Sequence, residues 1–266
     1  MKILIVSQYY WPENFRINEL SQQLKLSGNK VTVLTGYPNY PEGKIYKEFL
    51  KDPNNFSIFK DIEIIRVPVI PRGNTRIQLL ANYISFTISA SFLGLIKLFK
   101  KKFDIIFVFQ TSPVLVGIPS SIISAVKKSP QILWVLDLWP ETLEAIGIIK
   151  KNWQLEIIRF FINAIYSRFK IILAQSKSFK RAIKKYHKNV IYFPVWSEFE
   201  SVDSKQVQAK EILPKKNIFT LMFTGNIGEA QDFPSIVNAA KYLSRESLLN
   251  FRIIVIGNGS KKEWLI

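Results

Sequence analysis

An apolar run that ends in a single acid is the feature that most constrains how this chain can fold. Residues 131–136 read Gln-Ile-Leu-Trp-Val-Leu, and Asp137 follows them directly. Pro140 and Glu141 come next, where a helix can begin, because proline is tolerated in the first helical turn. The pattern predicts a central parallel strand that presents one carboxylate at its carboxyl end.

Asp137 is the first candidate for a catalytic residue. In open α/β sheets, ligands bind at the carboxyl ends of the strands, where the crevice opens and helix N-termini point into it. The alternative interpretation is that Asp137 only caps the helix that follows.

Strand-like and helix-like segments alternate along the rest of the chain. Strands are predicted at 2–6, 30–35, 62–69, 104–109, 131–136, 170–174, 189–193, 219–224 and 251–256, and helices at 12–27, 77–96, 111–126, 178–185 and 233–243. A strand, helix, strand unit almost always crosses over right-handed into a parallel sheet. The predicted fold class is therefore α/β with parallel sheets.

A change in composition divides the chain into two predicted domains. Residues 197–216 are polar, charged and without periodicity, which indicates a linker. The first domain is then 1–196, and 217–266 begins a second doubly wound domain. About fifty residues is close to the size below which a domain cannot bury its own core, so we expect the second domain to be incomplete.

Two sequence features disfavour other enzyme classes. The turn after the first strand, residues 7–13, contains no G-x-G-x-x-G, which disfavours a dinucleotide-binding enzyme. The chain has no cysteine, and its single histidine, His187, lies in a basic segment far from any acid at useful spacing, which excludes a serine or cysteine hydrolase.

The loop 36–43, with proline, asparagine, glycine and two tyrosines, is predicted to lie beside the crevice.

The formal charge of +17 predicts a polyanionic partner. Lysine clusters occur at 100–102, 127–128, 150–151 and 215–216, but none belongs to a nucleic-acid motif. We therefore expect contact with an anionic membrane or a phosphorylated substrate and no nucleic acid. The absence of cysteine and of a signal-peptide core predicts a cytoplasmic protein, peripheral on the inner face of the plasma membrane.

Residues 77–96 form a stretch without charge that is long enough to cross a bilayer. Asn82, Ser85 and Ser89 fall on one helical face, and another strand follows. A membrane crossing would put the strands before and after it on opposite sides. Three interpretations remain open: a helix that covers the sheet, a helix whose outer face also lies in the membrane interface, and a true span.

Five stretches together resemble the family 4 retaining glycosyltransferases of the GT-B fold, in the branch that builds bacterial capsule, O-antigen and colanic-acid-like polysaccharides. They are residues 8–19 (QYYWPENFRINE), 35–46 (TGYPNYPEGKIY), 137–141 (DLWPE), 223–231 (FTGNIGEAQ) and 256–259 (IGNG). The stretches sample nearly the whole chain, and their order strengthens a signal that each alone would give only weakly.

The resemblance implies two Rossmann-like domains, with acceptor bound mainly by the first and a nucleotide-sugar, expected to be a UDP-sugar, by the second. The implied acceptor is a lipid-linked saccharide such as an undecaprenyl-diphosphate glycan. No cofactor or metal is expected, because the metal-dependent class needs an Asp-x-Asp pair and the nearest match is Asp61-Ile-Glu63. Retaining transfer then depends on positioning two substrates and neutralising the leaving diphosphate.

The resemblance also implies roles for individual residues. Asp137 matches the position that reaches the transferring sugar or the acceptor hydroxyl. The candidate acceptor-binding residues are Asn14, Arg16, Asn18, Tyr37, Asn39, Trp139 and Glu141, and the candidate donor-binding residues are Gly225, Asn226, Gln231, Gly257 and Gly259. Arg16 could bind a phosphate, or it could lie on a solvated helix face.

The donor-binding loop departs from the family. Many members carry Arg and Lys where this chain has Asn226 and Gln231, so we do not expect charge neutralisation from these two positions. Backbone N–H groups at the following helix N-terminus would attract the diphosphate instead. The paired glutamates of the family's Glu-x7-Glu element are absent from these 266 residues, and from this we expect that the chain does not transfer sugar by itself. Alternatives are a non-catalytic, membrane-associated subunit that presents the acceptor, an inactive fragment, and a UDP-sugar epimerase.

Overall fold

The computed structural model describes residues 1–73, 75–145, 151–196, 209–245, 250–259 and 261–266. The chain divides into two compact units, the larger made of residues 1–144 and 149–196 and the smaller mainly of residues 197–266. Of the predicted linker, residues 197–208 lie outside the described residues. The domain boundaries given above stay predictions.

The larger unit alternates strands and helices. The strands are β1 (Lys2–Ser7), β2 (Lys30–Gly36), β3 (Ile58–Phe59), β4 (Ile62–Val67), β5 (Ile105–Gln110), β6 (Gln131–Val135), β7 (Ile171–Ala174) and β8 (Val190–Tyr192). The helices are α1 (Arg16–Leu26), α2 (Lys47–Lys51), α3 (Arg76–Lys97), α4 (Gly117–Lys127), α5 (Glu141–Ala145), α6 (Asn152–Tyr166) and α7 (Lys177–Ile183).

These strands form one eight-stranded sheet in the order β3-β4-β2-β1-β5-β6-β7-β8. All neighbouring pairs are parallel except β3 with β4. The order reverses direction between β1 and β5, which is where ligands bind in sheets of this kind. Strand β6 lies between β5 and β7, so the prediction of a central parallel strand is confirmed.

Both faces of the sheet are covered. Alternate residues of β1 show why its run is continuously apolar: Leu4 and Val6 belong to the core under α3, α4 and α6, whereas Ile3 and Ile5 belong to the core under α1. Trp134 of β6 is fully buried in the second core. Burial on both faces leaves no position where a polar side chain is tolerated cheaply.

Helix α3 covers the sheet with one face only. Asn82, Phe86 and Ala90 are buried at helical spacing, whereas Ile88 and Phe92 are 54% and 68% exposed. By length and composition the helix could cross a membrane, with 33% of its most apolar window buried. Strands β4 and β5, which flank it in sequence, belong to the same sheet, so this arrangement agrees with a sheet-covering helix and not with a true span.

Two predicted helix starts were wrong. The first helix begins at Arg16 rather than Pro12, because Asn18 turns its side chain back and accepts a hydrogen bond from the Trp11 N–H (3.0 Å) while donating to the Glu13 carbonyl (2.7 Å). After β5 the chain first makes a 3-10 turn at 114–116, and the α-helix starts only at Gly117.

The amphipathic helix α6 was missed altogether. Its buried positions are Leu155, Ile162, Ile165 and Tyr166, but apolar residues also occupy its outer face, so the helical period is obscured in the sequence.

The smaller unit contains the strands β9 (Phe219–Thr224) and β10 (Phe251–Ile256), with helices α8 (Phe233–Arg245) and α9 (Lys262–Leu265). Its two strands pair in parallel, as the strand, helix, strand pattern predicts. Phe223 of β9 packs edge-on against Phe233 at the start of α8, which fixes the helix against the sheet.

Candidate functional site

Asp137 lies just beyond β6, at the carboxyl edge of the larger sheet, the edge where β1, β2, β5 and β6 end. Its side chain is half-buried. One carboxylate oxygen accepts a hydrogen bond from the Thr142 hydroxyl (2.7 Å) and the other from the indole N–H of Trp139 (3.2 Å). The carboxylate is thus oriented by two side chains, and its described hydrogen bonds do not come from the backbone N–H groups of α5.

The backbone beneath Asp137 is fixed from two neighbouring strands. Gln110 at the end of β5 donates from its side-chain amide to the Asp137 carbonyl (2.8 Å), and Gln175 after β7 donates to the Leu136 carbonyl (2.7 Å). Because both donors sit at the ends of buried strands, the position of Asp137 depends on the register of the sheet.

A cation and several phenols lie on the other side of the sheet reversal. Arg72 donates to the Tyr9 hydroxyl (3.2 Å), and its guanidinium lies 5.4 Å from the ring centre of Tyr40. Burial raises the pKa of Tyr83, and its neighbour Asp137 raises it further, whereas Arg72 and a hydrogen bond with Ser112 lower it. Tyr83 therefore connects Arg72 to the surroundings of Asp137.

Asn82 explains how α3 is attached at this edge. Its side-chain oxygen accepts from Gln8 (2.7 Å) and from the Tyr9 hydroxyl (3.0 Å), and its amide donates to the Ile70 carbonyl (2.6 Å). Asn82 is fully buried, so these bonds satisfy a polar group that would otherwise be costly inside the protein. The signal in the sequence was an asparagine inside an otherwise apolar helix.

Glu13 holds the loops that follow β1 and β2. Its carboxylate accepts from the backbone N–H groups of Asn39 and Tyr40 (both 2.8 Å) and of Tyr10 (3.1 Å). Burial raises the pKa of Glu13 to about 7, although the three N–H donors and nearby Arg66 lower it. The stretch 8–19 contains Glu13, but the sequence does not indicate its role, because a lone glutamate in a loop gives no sign of burial.

The structure separates the predicted acceptor-binding residues into groups. Trp139 and Glu141 lie beside Asp137. The Asn18 side chain holds the first loop, and Asn39 is 1% exposed with its amide donating to the Tyr37 carbonyl (2.8 Å).

The remaining three point elsewhere. Asn14 is exposed, Arg16 pairs with Glu19 one helical turn away (2.6 Å), and Tyr37 packs on Phe49. A role in binding for these seven residues stays a prediction.

Three buried polar atoms near Asp137 have no hydrogen-bond partner among the described residues. They are the Gln110 Oε1 atom, the Glu141 Oε2 atom and the hydroxyl of Tyr166. Burial raises the pKa of Tyr166 above its usual range, and Glu141 adds to this rise through its charge. Buried polar atoms are usually paired in folded proteins, so these three stand out as unsatisfied groups near the candidate catalytic residue.

The predicted donor-binding residues lie together in the smaller unit, at the carboxyl ends of β9 and β10. The Gly225 N–H donates to the Ile256 carbonyl (2.9 Å), and the Gln231 side-chain oxygen accepts from the Gly228 N–H (3.1 Å). A Cβ atom at Gly257 would lie 1.9 Å from the Gly225 carbonyl oxygen, so the two loops can approach this closely only with glycine there.

Across the described ranges, no cluster of three or more histidine, cysteine, aspartate or glutamate side chains is placed to hold a metal ion. The independence from metal expected above stays a prediction.

Comparison with known proteins adds to this geometry. No family model matches the chain. The protein WcaI of Escherichia coli (strain K12), whose name describes a colanic acid biosynthesis glycosyl transferase, is 25% identical over 285 aligned positions that cover 98% of this chain and 67% of WcaI.

Solved glycosyltransferases share the fold at low sequence identity. The lipopolysaccharide outer core galactosyltransferase WaaB aligns over 100% of this chain and 63% of its own length, with a TM-score of 0.53 and 14% identity. UGT89C1 of Arabidopsis thaliana aligns over 97% of this chain and 70% of its own, with a TM-score of 0.55 and 13% identity.

The chain has the GT-B fold. It is a glycosyltransferase homologue, by its similarity to WcaI in sequence and by the architecture it shares with solved glycosyltransferases. It spans about two thirds of the length of these relatives. The prediction of a GT-B fold is therefore confirmed.

Proposed function

We propose that this chain is part of a glycosyltransferase that moves a sugar from a nucleotide-sugar, expected to be a UDP-sugar, to a lipid-linked glycan in bacterial polysaccharide biosynthesis. The observation that carries the proposal is the position of Asp137, an oriented, half-buried carboxylate at the carboxyl edge beside the sheet reversal. The similarity to WcaI over almost the whole chain supports the reaction class and the type of product.

In this proposal Asp137 contacts the acceptor hydroxyl or the transferring sugar. A carboxylate held by Trp139 and Thr142 needs little reorganisation when substrate arrives, so it can position the reacting groups. The donor diphosphate would meet backbone N–H groups of the loops at Gly225 and Gly257, as expected at helix N-termini. The proposed transfer is retaining and independent of metal, as the resemblance to family 4 implies.

The nucleotide-sugar is supported by relatives. UGT89C1 has been solved in complexes whose names include UDP and UDP-L-rhamnose. Transfer by the complete gene product from a panel of labelled UDP-sugars to an undecaprenyl-diphosphate glycan tests the proposal. Product formation that persists in EDTA, with the donor's anomeric configuration kept in the product, is expected. Absence of transfer from every donor in the panel would refute it.

Membrane contact is the second part of the proposal. Ile84, Ile88 and Phe92 on the outer face of α3 are 44%, 54% and 68% exposed, and exposed apolar surfaces of this kind mark interaction sites. The excess of positive charge favours an anionic lipid surface as the partner.

Flotation with vesicles that contain anionic lipid measures this contact. The double variant I88N/F92N is expected to lose most of the membrane-bound fraction. The control L26N removes an exposed apolar residue from α1, on the opposite face of the sheet, and should float like the wild type. Equal flotation of all three proteins would contradict the proposed face.

The exposed apolar face also favours a second candidate, a non-catalytic subunit that presents a lipid-linked acceptor to a partner enzyme. The two functions differ in what Asp137 does. A subunit of this kind keeps its role when Asp137 is replaced by Asn, whereas the transferase loses turnover.

A further inference from the structure

Helices α4 and α6 enclose an apolar groove on the larger unit. It has a volume of about 660 Å³, within the range of small-molecule sites. Ile118 and Ile122 of α4 and Ile158, Phe161 and Ile165 of α6 line it. The polar residues in its lining are Ser121 and Arg168, so the groove offers a ligand almost nothing but hydrocarbon contact.

One end of the groove reaches the candidate catalytic residue. Trp139 lines the groove, and its indole N–H donates to the Asp137 carboxylate (3.2 Å). The loop after β5 makes a second connection. Val114 lies in the groove lining, while Ser112, two residues earlier, is close enough to Tyr83 to lower the pKa of its hydroxyl. One end of a molecule in the groove would therefore contact Trp139, the side chain that hydrogen-bonds Asp137.

A cation, Arg72, lies beside Tyr83. Arg72 is bonded to the Tyr9 hydroxyl and lies against Tyr40, and within the described part of the chain it forms no ion pair. Arginine geometry suits phosphate oxygens, and a half-buried guanidinium without a carboxylate gains most from an anionic ligand. The site thus offers one anion-binding group followed by a long apolar surface.

The rim of the groove is itself apolar. Ile122 and Phe161 are 39% and 59% exposed, and Phe160 and Trp153 on the same helix are also exposed. Helix α4 packs between α3 and α6, so the groove opens in the helical layer that carries the proposed membrane face. An apolar rim of this kind favours the entry of a hydrocarbon chain.

We propose that the groove between α4 and α6 binds the hydrocarbon chain of a lipid phosphate, with the phosphate at Arg72 and the glycosylated end at Asp137. The proposal rests on the proposed function, since it assigns a binding place to the lipid part of the acceptor. It names the groove, and not only the outer face of the helices, as the part that distinguishes an acceptor lipid from bulk lipid.

Filling the groove tests the position of the chain. Ala125 and Ala164 line the groove and are exposed, so tryptophan at either site occupies the groove without entering the core. Calorimetry with a C15 isoprenyl monophosphate should show at least a tenfold weaker affinity for A125W and A164W. The control V126W adds the same bulk one residue away, outside the lining, and should bind like the wild type.

Unchanged affinity in A125W and A164W, with wild-type circular dichroism spectra, would overturn the proposal. So would an equal loss in V126W, because the effect would then not depend on the groove.

Neutralising each arginine tests the position of the phosphate. R72Q should weaken binding of the C15 isoprenyl monophosphate about tenfold and leave binding of the C15 alcohol unchanged. Arg168 lines the groove but is not among the residues described around Arg72. R168Q should therefore bind both compounds like the wild type. A loss of phosphate binding in R168Q and not in R72Q would contradict the proposed orientation.

These measurements need no donor and no turnover, so they are separate from the test of the enzyme. If the groove variants lose lipid binding while the complete gene product transfers no sugar, the proposed function fails and the lipid site stands. If transfer to the undecaprenyl-linked glycan is normal in A125W and A164W, the function stands and the lipid site fails.

Discussion

The two sides of the carboxyl edge in the larger unit differ in how their polar groups are used. Around Glu13, the carboxylate accepts from three backbone N–H groups, and the Asn18 and Asn39 side chains bond to the same loops. Around Asp137, the Glu141 Oε2 atom and the Tyr166 hydroxyl have no partner. On the first side, the polar side chains hydrogen-bond the loops and hold them in place. On the second side, some buried polar atoms have no hydrogen-bond partner among the described residues.

The contrast divides the residues of the resembling motifs into a structural group around Glu13 and a candidate ligand-binding group around Asp137. Both sides contain residues that match the glycosyltransferase resemblance. Bonded side chains such as Asn39 stabilise the loops, whereas the Glu141 Oε2 atom has no hydrogen bond within the described protein that a ligand would have to break. The contrast predicts that variants on the first side change stability and variants on the second change activity.

The largest effect is expected at Glu13. Replacing it with alanine leaves three buried N–H groups without an acceptor, and each such group costs about 1–3 kcal/mol. We expect E13A to lose about 3–5 kcal/mol of unfolding free energy in urea at pH 7. The control E48A removes an exposed glutamate and should stay within about 0.5 kcal/mol. A loss below about 1 kcal/mol in E13A would show that Glu13 does not hold the loops that follow β1 and β2.

The pH dependence of stability is expected to follow Glu13. Burial raises its pKa from 4.5 to about 7, so between these values the native state holds a proton that the unfolded state has lost. Stability therefore falls as pH rises through this window, by about 3 kcal/mol in all. Urea unfolding at pH 4.5 and pH 8 should show this loss in the wild type relative to E13Q. Parallel pH profiles for the two proteins would contradict it.

On the other side, Asp137→Asn should reduce transfer by the complete gene product about 100-fold. Asparagine keeps an oxygen that can accept from Thr142, so the unfolding free energy should change by less than about 1 kcal/mol. The measurement is kcat in a labelled-sugar assay, with urea unfolding in parallel. If D137N lost unfolding free energy to the extent expected for E13A, the loss of kcat would follow from unfolding. Asp137 would then belong to the structural group together with Glu13.

The smallest effects are expected from two fully buried tyrosines, of which only one has a hydrogen-bond partner for its hydroxyl. Tyr10 shares a hydrogen bond with Ser21 (2.7 Å), whereas the buried Tyr166 hydroxyl has no partner. We expect Y10F to lose about 1 kcal/mol and Y166F to lose none or to gain up to about 1 kcal/mol. Thermal unfolding of both variants compares them directly. A larger loss in Y166F than in Y10F would show that the contrast between the two sides is wrong.

The sequence by itself determined most of the strands and helices, the parallel sheet and the place of Asp137 at a strand end, but not α2, β3 or α6. Each of these depends on local patterns: a strand buried on both faces must be apolar throughout, and its first acid marks the edge. Gly257 was similarly visible as a glycine after an apolar run, whereas its close approach to the Gly225 carbonyl is a finding of the structure. These signals need no knowledge of distant residues.

Only the tertiary structure decided which polar side chains form the hydrogen bonds that hold the fold together. Asn82 reaches the carboxyl edge of β1 on α3, and Arg72 reaches it on the connection between β4 and α3. Glu13 is buried because two loops close over it. Helix α6 and its groove were missed because apolar residues occupy both of its faces. Local patterns report whether a residue prefers burial, whereas hydrogen-bond partners far along the chain decide whether it is free to bind.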